Sequence, residues 1–142
     1  KEGKHIAILA LGKMHSEAMA AASLLETHGI SLEVVNPRFV KPLDTEMIDY
    51  LSLKFENIIT IEDGQKIGGF GAAVAEYFVE NDIKDCKLTI MGIPDKFINH
   101  ATQEELHSEL GLDANGIIKK VSEILNLPKF ENNLQNQKIS FV

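Results

Sequence analysis

The sequence predicts a three-layer α/β/α domain, in which a mainly parallel twisted sheet lies between two layers of helices. Strand-like and helix-like patterns alternate along residues 1–125, which is typical of this class. The first strand-like run, residues 6–11, is apolar without alternation, as in a strand covered on both faces. Right-handed crossovers between parallel strands restrict the topology strongly, and we expect the strand order 2-1-3-4.

The first two predicted strands enclose a helix. The apolar run 6–11 gives way near Ser16 to an apolar stripe with helical spacing, and we expect Ser16 to be the N-cap. Gly29 is a natural C-terminal stop for this helix, and the second strand is predicted over residues 32–35. The loop at residues 12–16 has no phosphate-binding pattern, so we expect it to be exposed to solvent.

A rigid crossing follows the second strand. Pro37 and Pro42 fix φ at about −65° and remove two backbone donors, so this segment cannot lie inside a helix or a strand. Arg38 and Lys41 are held on the crossing. We interpret each of these cations as forming a salt bridge with a carboxylate, which would anchor the crossing. The alternative is that they contact a phosphate group.

The later elements are marked by capping residues. Strands are predicted over residues 58–61 and 88–91, with a helix over about 72–79 between them. The other helices begin where a side chain can accept a hydrogen bond from a free N–H group: at Asp44 or Thr45, at Thr102 with Glu105 completing a capping box, and at Asp113. Residues 126–142 are rich in Asn and Gln and fall outside the pattern. They form either a loose tail or, at 139–142, a strand on an open sheet edge.

Charge and cysteine content exclude several classes of function. The net charge of −7 disfavours binding to nucleic acid or to an anionic membrane, because both are negatively charged. No apolar run approaches the roughly 18 residues of a transmembrane helix. Cys86 is the only cysteine, which rules out an internal disulfide and favours a cytoplasmic setting. The chain begins at Lys1 without a methionine, and we expect it to be a piece of a longer protein.

A glycine-rich segment follows the third predicted strand. Gly64, Gly68, Gly69 and Gly71 surround Phe70, where a helix is expected to open. Free N–H groups at a helix N-terminus can bind phosphate, but the dinucleotide pattern G-x-G-x-x-G is not met. We therefore favour a tight turn with close packing between helix and sheet.

Charged side chains and histidines supply the remaining candidates. Glu62 and Asp63 are expected to close the third strand at the carboxyl edge of the sheet, in a solvated loop or in an ion pair at an interface. His100 lies in the loop after the fourth strand, next to Asn99 and without a nucleophile nearby in the sequence. A di-iron site needs two E-x-x-H motifs, and this sequence has one, at residues 104–107. The clustered Cys and His residues of a zinc site are missing from the sequence. We therefore predict no metal site.

Four segments resemble the C-terminal domain of the 1-deoxy-D-xylulose-5-phosphate synthase family, whose members are thiamine-diphosphate enzymes of the transketolase superfamily. They are the crossing RFVKPLD at 38–44, the glutamate-plus-glycine segment at 62–71, the run at 93–106 with IPDKFINH and TQEEL, and GLDANGI at 111–117. The first two recur loosely in transketolases and in β subunits of 2-oxo-acid dehydrogenases, whereas the last two point to the synthase. Asn36–Pro37 and Ala101 depart from the expected family pattern.

The resemblance implies a supporting role in a larger enzyme. The family's reaction condenses pyruvate with glyceraldehyde 3-phosphate, releases carbon dioxide, and forms a precursor of isoprenoids. Members hold thiamine diphosphate through magnesium on a Gly-Asp-Gly…Asn motif and activate it with a buried Glu, and this sequence has no Gly-Asp-Gly. We therefore expect the chain to bind no cofactor and to be inactive alone. Its partners would be the remaining domains of the parent enzyme and, in the parent, the second subunit of a homodimer.

Two other classes of protein remain open. One is the corresponding domain of another thiamine-diphosphate enzyme, either a transketolase or a 2-oxo-acid dehydrogenase β subunit. The other is a free-standing doubly wound module that binds a ligand, such as a receiver or flavin domain, although a receiver would need an acidic pair where Leu11-Gly12-Lys13 stands. We assign no residue to catalysis, cofactor or metal. The interface or loop candidates are Arg38, Lys41, Glu62, Asp63, Gly68, Gly69, Gly71 and His100.

Overall fold

A computed structural model describes residues 1–95 and 102–128 of the chain. Within these ranges, four strands form one sheet in which every neighbouring pair is parallel. The order across the sheet is β2-β1-β3-β4, with the bounds β1 Ile6–Ala10, β2 Leu32–Val35, β3 Asn57–Gln65 and β4 Lys87–Ile93. The predicted fold class and strand order are confirmed.

Helices cover both faces of the sheet. Their bounds are α1 Met14–Glu26, α2 Thr45–Lys54, α3 Phe70–Glu80, α4 Gln103–Leu110 and α5 Ala114–Ile124. One apolar cluster joins α1 and α5 to one face, and a second joins α2 and α3 to the other. All five residues of β1 are fully buried between these clusters, which explains why that strand is apolar without alternation. No helix in the described part of the chain is long and apolar enough to cross a membrane.

Most of the predicted helix caps are present. The Asp44 side chain accepts a hydrogen bond from Met47 N–H, and the Asp113 side chain accepts one from Gly116 N–H. Thr102 and Glu105 form the predicted capping box. The prediction that Ser16 caps α1 is wrong, because the helix begins two residues earlier at Met14, whose side chain is buried in the core. The Ser16 hydroxyl lies inside the first turn and donates to the Lys13 carbonyl at 2.7 Å.

Strand β3 is longer than predicted. Ile61 pairs with Met91 and Gln65 pairs with Ile93, so four steps along β3 correspond to two steps along β4. This irregularity is a bulge that carries Glu62 and Asp63 within the strand, so the prediction that they close it is wrong. Polar residues are accommodated there because the bulge lies at the carboxyl edge of the sheet. The helix that follows begins at Phe70, slightly before the predicted start.

Candidate functional site at the carboxyl edge of the sheet

The loops after the strands meet at one edge of the sheet. Strand β1 connects through α1 to β2 on one side, whereas β3 connects through α3 to β4 on the other. The gap between the ends of β1 and β3 is therefore the point where the direction of winding changes, which is where open α/β sheets bind ligands. Lys13 follows β1, and Glu62 and Asp63 lie on β3 at this point.

Glu62 occupies the N-terminus of α3 with its own carboxylate. Its Oε2 accepts a hydrogen bond from Phe70 N–H at 2.9 Å, and its Oε1 accepts one from Gly71 N–H at 2.9 Å. Only 5% of Glu62 is exposed, so its interpretation as part of a solvated loop is wrong. The reason is electrostatic, because the positive end of a helix dipole with free N–H groups stabilises a buried carboxylate. The place where a phosphate would bind is thus already filled.

The glycines beside Glu62 allow a close approach of backbone to sheet. Gly68 has φ +71°, a left-handed conformation that favours glycine. A Cβ on Gly69 would lie 2.5 Å from Glu62 Oε2 and would collide with the Gln65 carbonyl, while a Cβ on Gly71 would lie 2.6 Å from Thr60 Oγ1. The segment therefore has the geometry of a tight turn that presses the start of α3 against β3.

Asp63 joins three elements at the same edge. Lys13 Nζ and Gln103 Nε2 lie 2.8 and 2.9 Å from Asp63 Oδ2, and His107 Nε2 lies 2.8 Å from Oδ1. These contacts connect the loop after β1 and helix α4 to β3. Residues 12–16 were expected to form a solvent-exposed loop, and Lys13 is indeed exposed although its Nζ reaches Asp63. The expectation is wrong for Met14, which is buried and begins α1.

The pKa of Asp63 is lowered from its ordinary value of 3.8. Burial by itself would raise this pKa, but the hydrogen bonds from Lys13 and His107 outweigh burial and favour the carboxylate. Because the folded-state pKa is the lower one, the stabilisation from Asp63 is complete above its unfolded-state pKa and is lost as the pH falls through the folded-state value.

Asp63→Asn is expected to lower the free energy of unfolding by about 1–2 kcal/mol at pH 7, because the ion pair and one good acceptor are lost. The difference between the two proteins should shrink below pH 3.8. Urea unfolding at a series of pH values measures it. Glu109→Gln is the control, because Glu109 is exposed on α4, the helix whose Gln103 and His107 contact Asp63. It should change stability by less than about 0.5 kcal/mol at pH 7. A difference that does not shrink as the pH is lowered below 3.8 would contradict the assignment.

The crossing after β2 presents two cations outward. Arg38 and Lys41 are exposed, and neither forms an ion pair with any of the residues described. The predicted anchoring salt bridge is therefore wrong. The crossing is held instead by Arg38 N–H donating to Asn36 Oδ1 at 3.1 Å, while Arg38 itself has φ +54°. Phe39, between the cations, is 67% exposed.

The remaining candidates do not add to this site. His100 lies outside the described residues. Across residues 1–95 and 102–128, no group of three or more His, Cys, Asp or Glu side chains is placed to hold a metal ion. Cys86 is buried below α3, and burial raises its pKa to about 11, so the thiol stays protonated at neutral pH. Sequence reasoning did not connect Lys13, Gln103 and His107 with Asp63, because only the parallel topology brings those distant segments together.

These features define a doubly wound parallel domain whose ligand-binding edge is closed by its own side chains. The family model described as "Transketolase, C-terminal domain" matches residues 1–117. The chain therefore belongs to the transketolase C-terminal domain family.

Relatives with curated names agree with this family. The chain is 45% identical over 121 residues to the 1-deoxy-D-xylulose-5-phosphate synthase of Chlorobium phaeovibrioides, which is 85% of this chain and 19% of that protein. It is 44% identical to the synthase of Synechococcus sp. (strain JA-3-3Ab), over 85% of this chain and 18% of that protein. The chain thus spans about a fifth of the length of the curated relatives it matches.

A solved structure shares the fold. It is titled as a split gene transketolase in an inactive β4 tetramer, and it superimposes with a TM-score of 0.79 at 34% sequence identity. The match covers 91% of this chain and 42% of that chain. Most of the chain therefore shares the fold of part of that transketolase chain.

Proposed function

We propose that this chain is the C-terminal domain of a cytoplasmic 1-deoxy-D-xylulose-5-phosphate synthase. In this role it packs against the preceding domains and extends the subunit interface of a homodimer, while the reaction takes place mainly on residues of other domains. One observation carries the proposal: synthases are 40–45% identical along 85–90% of this chain, yet the match covers only 18–20% of each of them.

The described residues do not fit a site for thiamine diphosphate and magnesium. The N–H groups of Phe70 and Gly71, which would suit a diphosphate, already donate to Glu62. The gap between β1 and β3 is bridged by the ion pair of Lys13 and Asp63. The cofactor supplies the carbanion chemistry of this enzyme class, so we assign its binding to the preceding domains.

Exposed groups at the carboxyl edge suit contact with a larger assembly. Phe39 after β2 and Ile67 after β3 are 67% and 70% exposed, and their loops flank the end of β1. Large apolar side chains at one edge are typical of a surface that another domain covers. We propose that the preceding domains contact this edge.

The cations of the crossing suit the phosphate of glyceraldehyde 3-phosphate. Arg38 carries a planar guanidinium that can bind two phosphate oxygens at once, and Lys41 adds a second positive charge three residues further on. Both lack an ion-pair partner among the described side chains, so their charge is available to a ligand. We propose that the crossing contributes this phosphate contact once the preceding domains complete the site.

A chimera tests the proposed function. In the Chlorobium phaeovibrioides synthase, the matching C-terminal segment is replaced by this chain, and formation of 1-deoxy-D-xylulose 5-phosphate is measured. We expect turnover within about tenfold of the parent enzyme, and none from the parent truncated before that segment. A chimera that folds, dimerises and binds cofactor but yields no product would contradict the assignment.

Arg38→Ala in this chimera is expected to raise KM for glyceraldehyde 3-phosphate by more than about tenfold, because a charge-assisted contact is worth roughly 1.5–3 kcal/mol. The KM for pyruvate, which has no phosphate, should change by less than about twofold. Steady-state kinetics with each substrate in turn separates the two effects. Lys84→Ala, which removes an exposed cation at the opposite edge of the sheet, is the control. Equal changes for both substrates would exclude a phosphate contact.

A further inference from the structure

The first five residues form a strap along the outer edge of β2, the strand at one end of the described sheet. The Lys1 amino group donates to the Val34 carbonyl at 3.0 Å, and Val34 N–H donates to the Lys1 carbonyl at 2.8 Å. Lys4 N–H donates to the carbonyl of Ser31, just before β2, at 3.1 Å. Residues 1–5, the N-terminal strap, therefore run antiparallel to β2.

A buried carboxylate holds the N-terminal strap in place. Glu33 on β2 is 6% exposed, and its Oε2 accepts a hydrogen bond from Gly3 N–H at 3.2 Å. The same oxygen lies 2.6 Å from Nζ of Lys54, the last residue of α2. That ammonium group also lies 5.4 and 5.2 Å from the ring centres of Tyr50 and Phe55. Glu33 thus connects the strap, the edge strand and α2.

The close approach of the strap to β2 requires a glycine. A Cβ on Gly3 would collide with the backbone of Leu32 and Glu33. Gly3 is also buried, although it lies before the first strand. The strap therefore has one register on β2, which is set by the space at Gly3 and by the acceptor on Glu33.

The buried pair of Glu33 and Lys54 suits specificity better than stability. Removing a carboxylate from water costs free energy, and an apolar side chain at the same place would avoid that cost. A charged acceptor at one position, however, binds one backbone N–H group strongly and excludes other registers of the segment that carries it.

We propose that Glu33, by holding the N-terminal strap, sets the orientation of the preceding domain relative to this one. The inference rests on the proposed function, in which other domains of the synthase precede the strap. An antiparallel strap on β2 approaches from the carboxyl edge of the sheet. Phe39 and Ile67 are exposed at that edge, so a fixed strap would hold the preceding domain close to these two side chains.

Amide hydrogen exchange by NMR on the full chain tests whether Glu33 holds the strap. Glu33→Val removes the acceptor and suits a strand, and Lys54 can then turn to water because its side chain is already 34% exposed. We expect the amides of Gly3 and Val34 to exchange at least about tenfold faster, while the amides of β3 should not change.

A second variant and a control make this test specific. Gly3→Ala leaves the carboxylate in place but displaces the strap from β2, so it should also speed exchange at Val34. Glu56→Gln changes an exposed carboxylate just after α2 and should leave both amides as they are.

The orientation of the domains is measured in the chimera. One spin label is attached to this domain through Glu80→Cys, at an exposed position, and another to the preceding domain of the synthase. Pulsed EPR then gives the distribution of distances between the labels. We expect the distribution to be about twofold broader with Glu33→Val, because domains without a fixed connection move relative to each other. Glu56→Gln should not broaden it.

Two outcomes would overturn the inference. Unchanged exchange at Gly3 in Glu33→Val would show that the carboxylate does not hold the strap. Faster exchange at Gly3 with an unchanged distance distribution would show that the strap does not orient the domains. A chimera that makes no product would instead contradict the proposed function, and the exchange measurement on the chain does not depend on that result.

Discussion

Replacing Glu62 by Ala is expected to lower the free energy of unfolding by about 3 kcal/mol. The carboxylate accepts the N–H groups of Phe70 and Gly71 at 2.9 Å each. Its removal leaves two buried donors without a partner at the positive end of α3. Chemical denaturation at pH 7 measures the effect.

Two further variants make this prediction specific. Glu62→Gln keeps an acceptor oxygen for one of the two N–H groups but has no charge, so it should cost about half as much. Glu76→Ala removes an exposed glutamate from the middle of the same helix and should change stability by less than about 0.5 kcal/mol. A loss below 1 kcal/mol in Glu62→Ala would mean that the cap contributes little.

Gly69→Ala is expected to destabilise the domain by about 3 kcal/mol, although the backbone angles at this position suit alanine. The added methyl group would collide with the Gln65 carbonyl and lie 2.5 Å from Glu62 Oε2. The turn must therefore open or the carboxylate must leave the helix N-terminus. A drop in melting temperature of more than about 8 °C would report this loss in a domain of this size.

Gly64→Ala is the matched control for this change. A methyl group there would lie 3.4 Å from the same Glu62 oxygen, which is an ordinary contact. We expect its melting temperature to stay within about 3 °C of the original. If Gly64→Ala and Gly69→Ala were equally mild, the turn would have more space than the described geometry allows.

The sequence was sufficient to predict the sheet and most helix boundaries, because those depend on local signals. Fully apolar runs such as β1, and caps such as Asp44 and Asp113, specify their elements without reference to the rest of the chain. The strand order also followed, since handedness leaves few topologies for alternating strands and helices. The start of α1 was missed because Ser16 looks like a cap, and the burial of Met14 that moves the helix forward is a tertiary effect.

The polar contacts of the site were not predictable in the same way. From its sequence, Glu62 was predicted to be a surface residue next to Asp63. Its contact with free N–H groups depends on the bulge in β3 and on the position of the N-terminus of α3 beside that strand. Glu33 is a similar case. It lies buried in β2, where Lys54 Nζ is 2.6 Å from its Oε2. No local sequence pattern predicts this pair. Each such contact joins segments that are far apart in the sequence.

For the cations of the crossing, by contrast, a contact was predicted that the described structure does not contain. Arg38 and Lys41 were interpreted as an anchor for the crossing, because surface cations in loops are often paired. The described structure gives the crossing other anchors, in Asn36 and in the cap at Asp44, and leaves both cations exposed. Because these two cations form no ion pair with the described residues, they are available to contact a partner domain or an anionic ligand.

We propose that this domain supports a thiamine-diphosphate enzyme without holding the cofactor. Isothermal titration calorimetry of the purified chain with thiamine diphosphate and Mg²⁺ tests it most directly, with the intact synthase of a relative as the positive control. We predict no saturable heat from the chain, because Glu62 and the pair of Lys13 and Asp63 already fill the ligand-binding edge. Saturable micromolar binding that requires magnesium would contradict the claim.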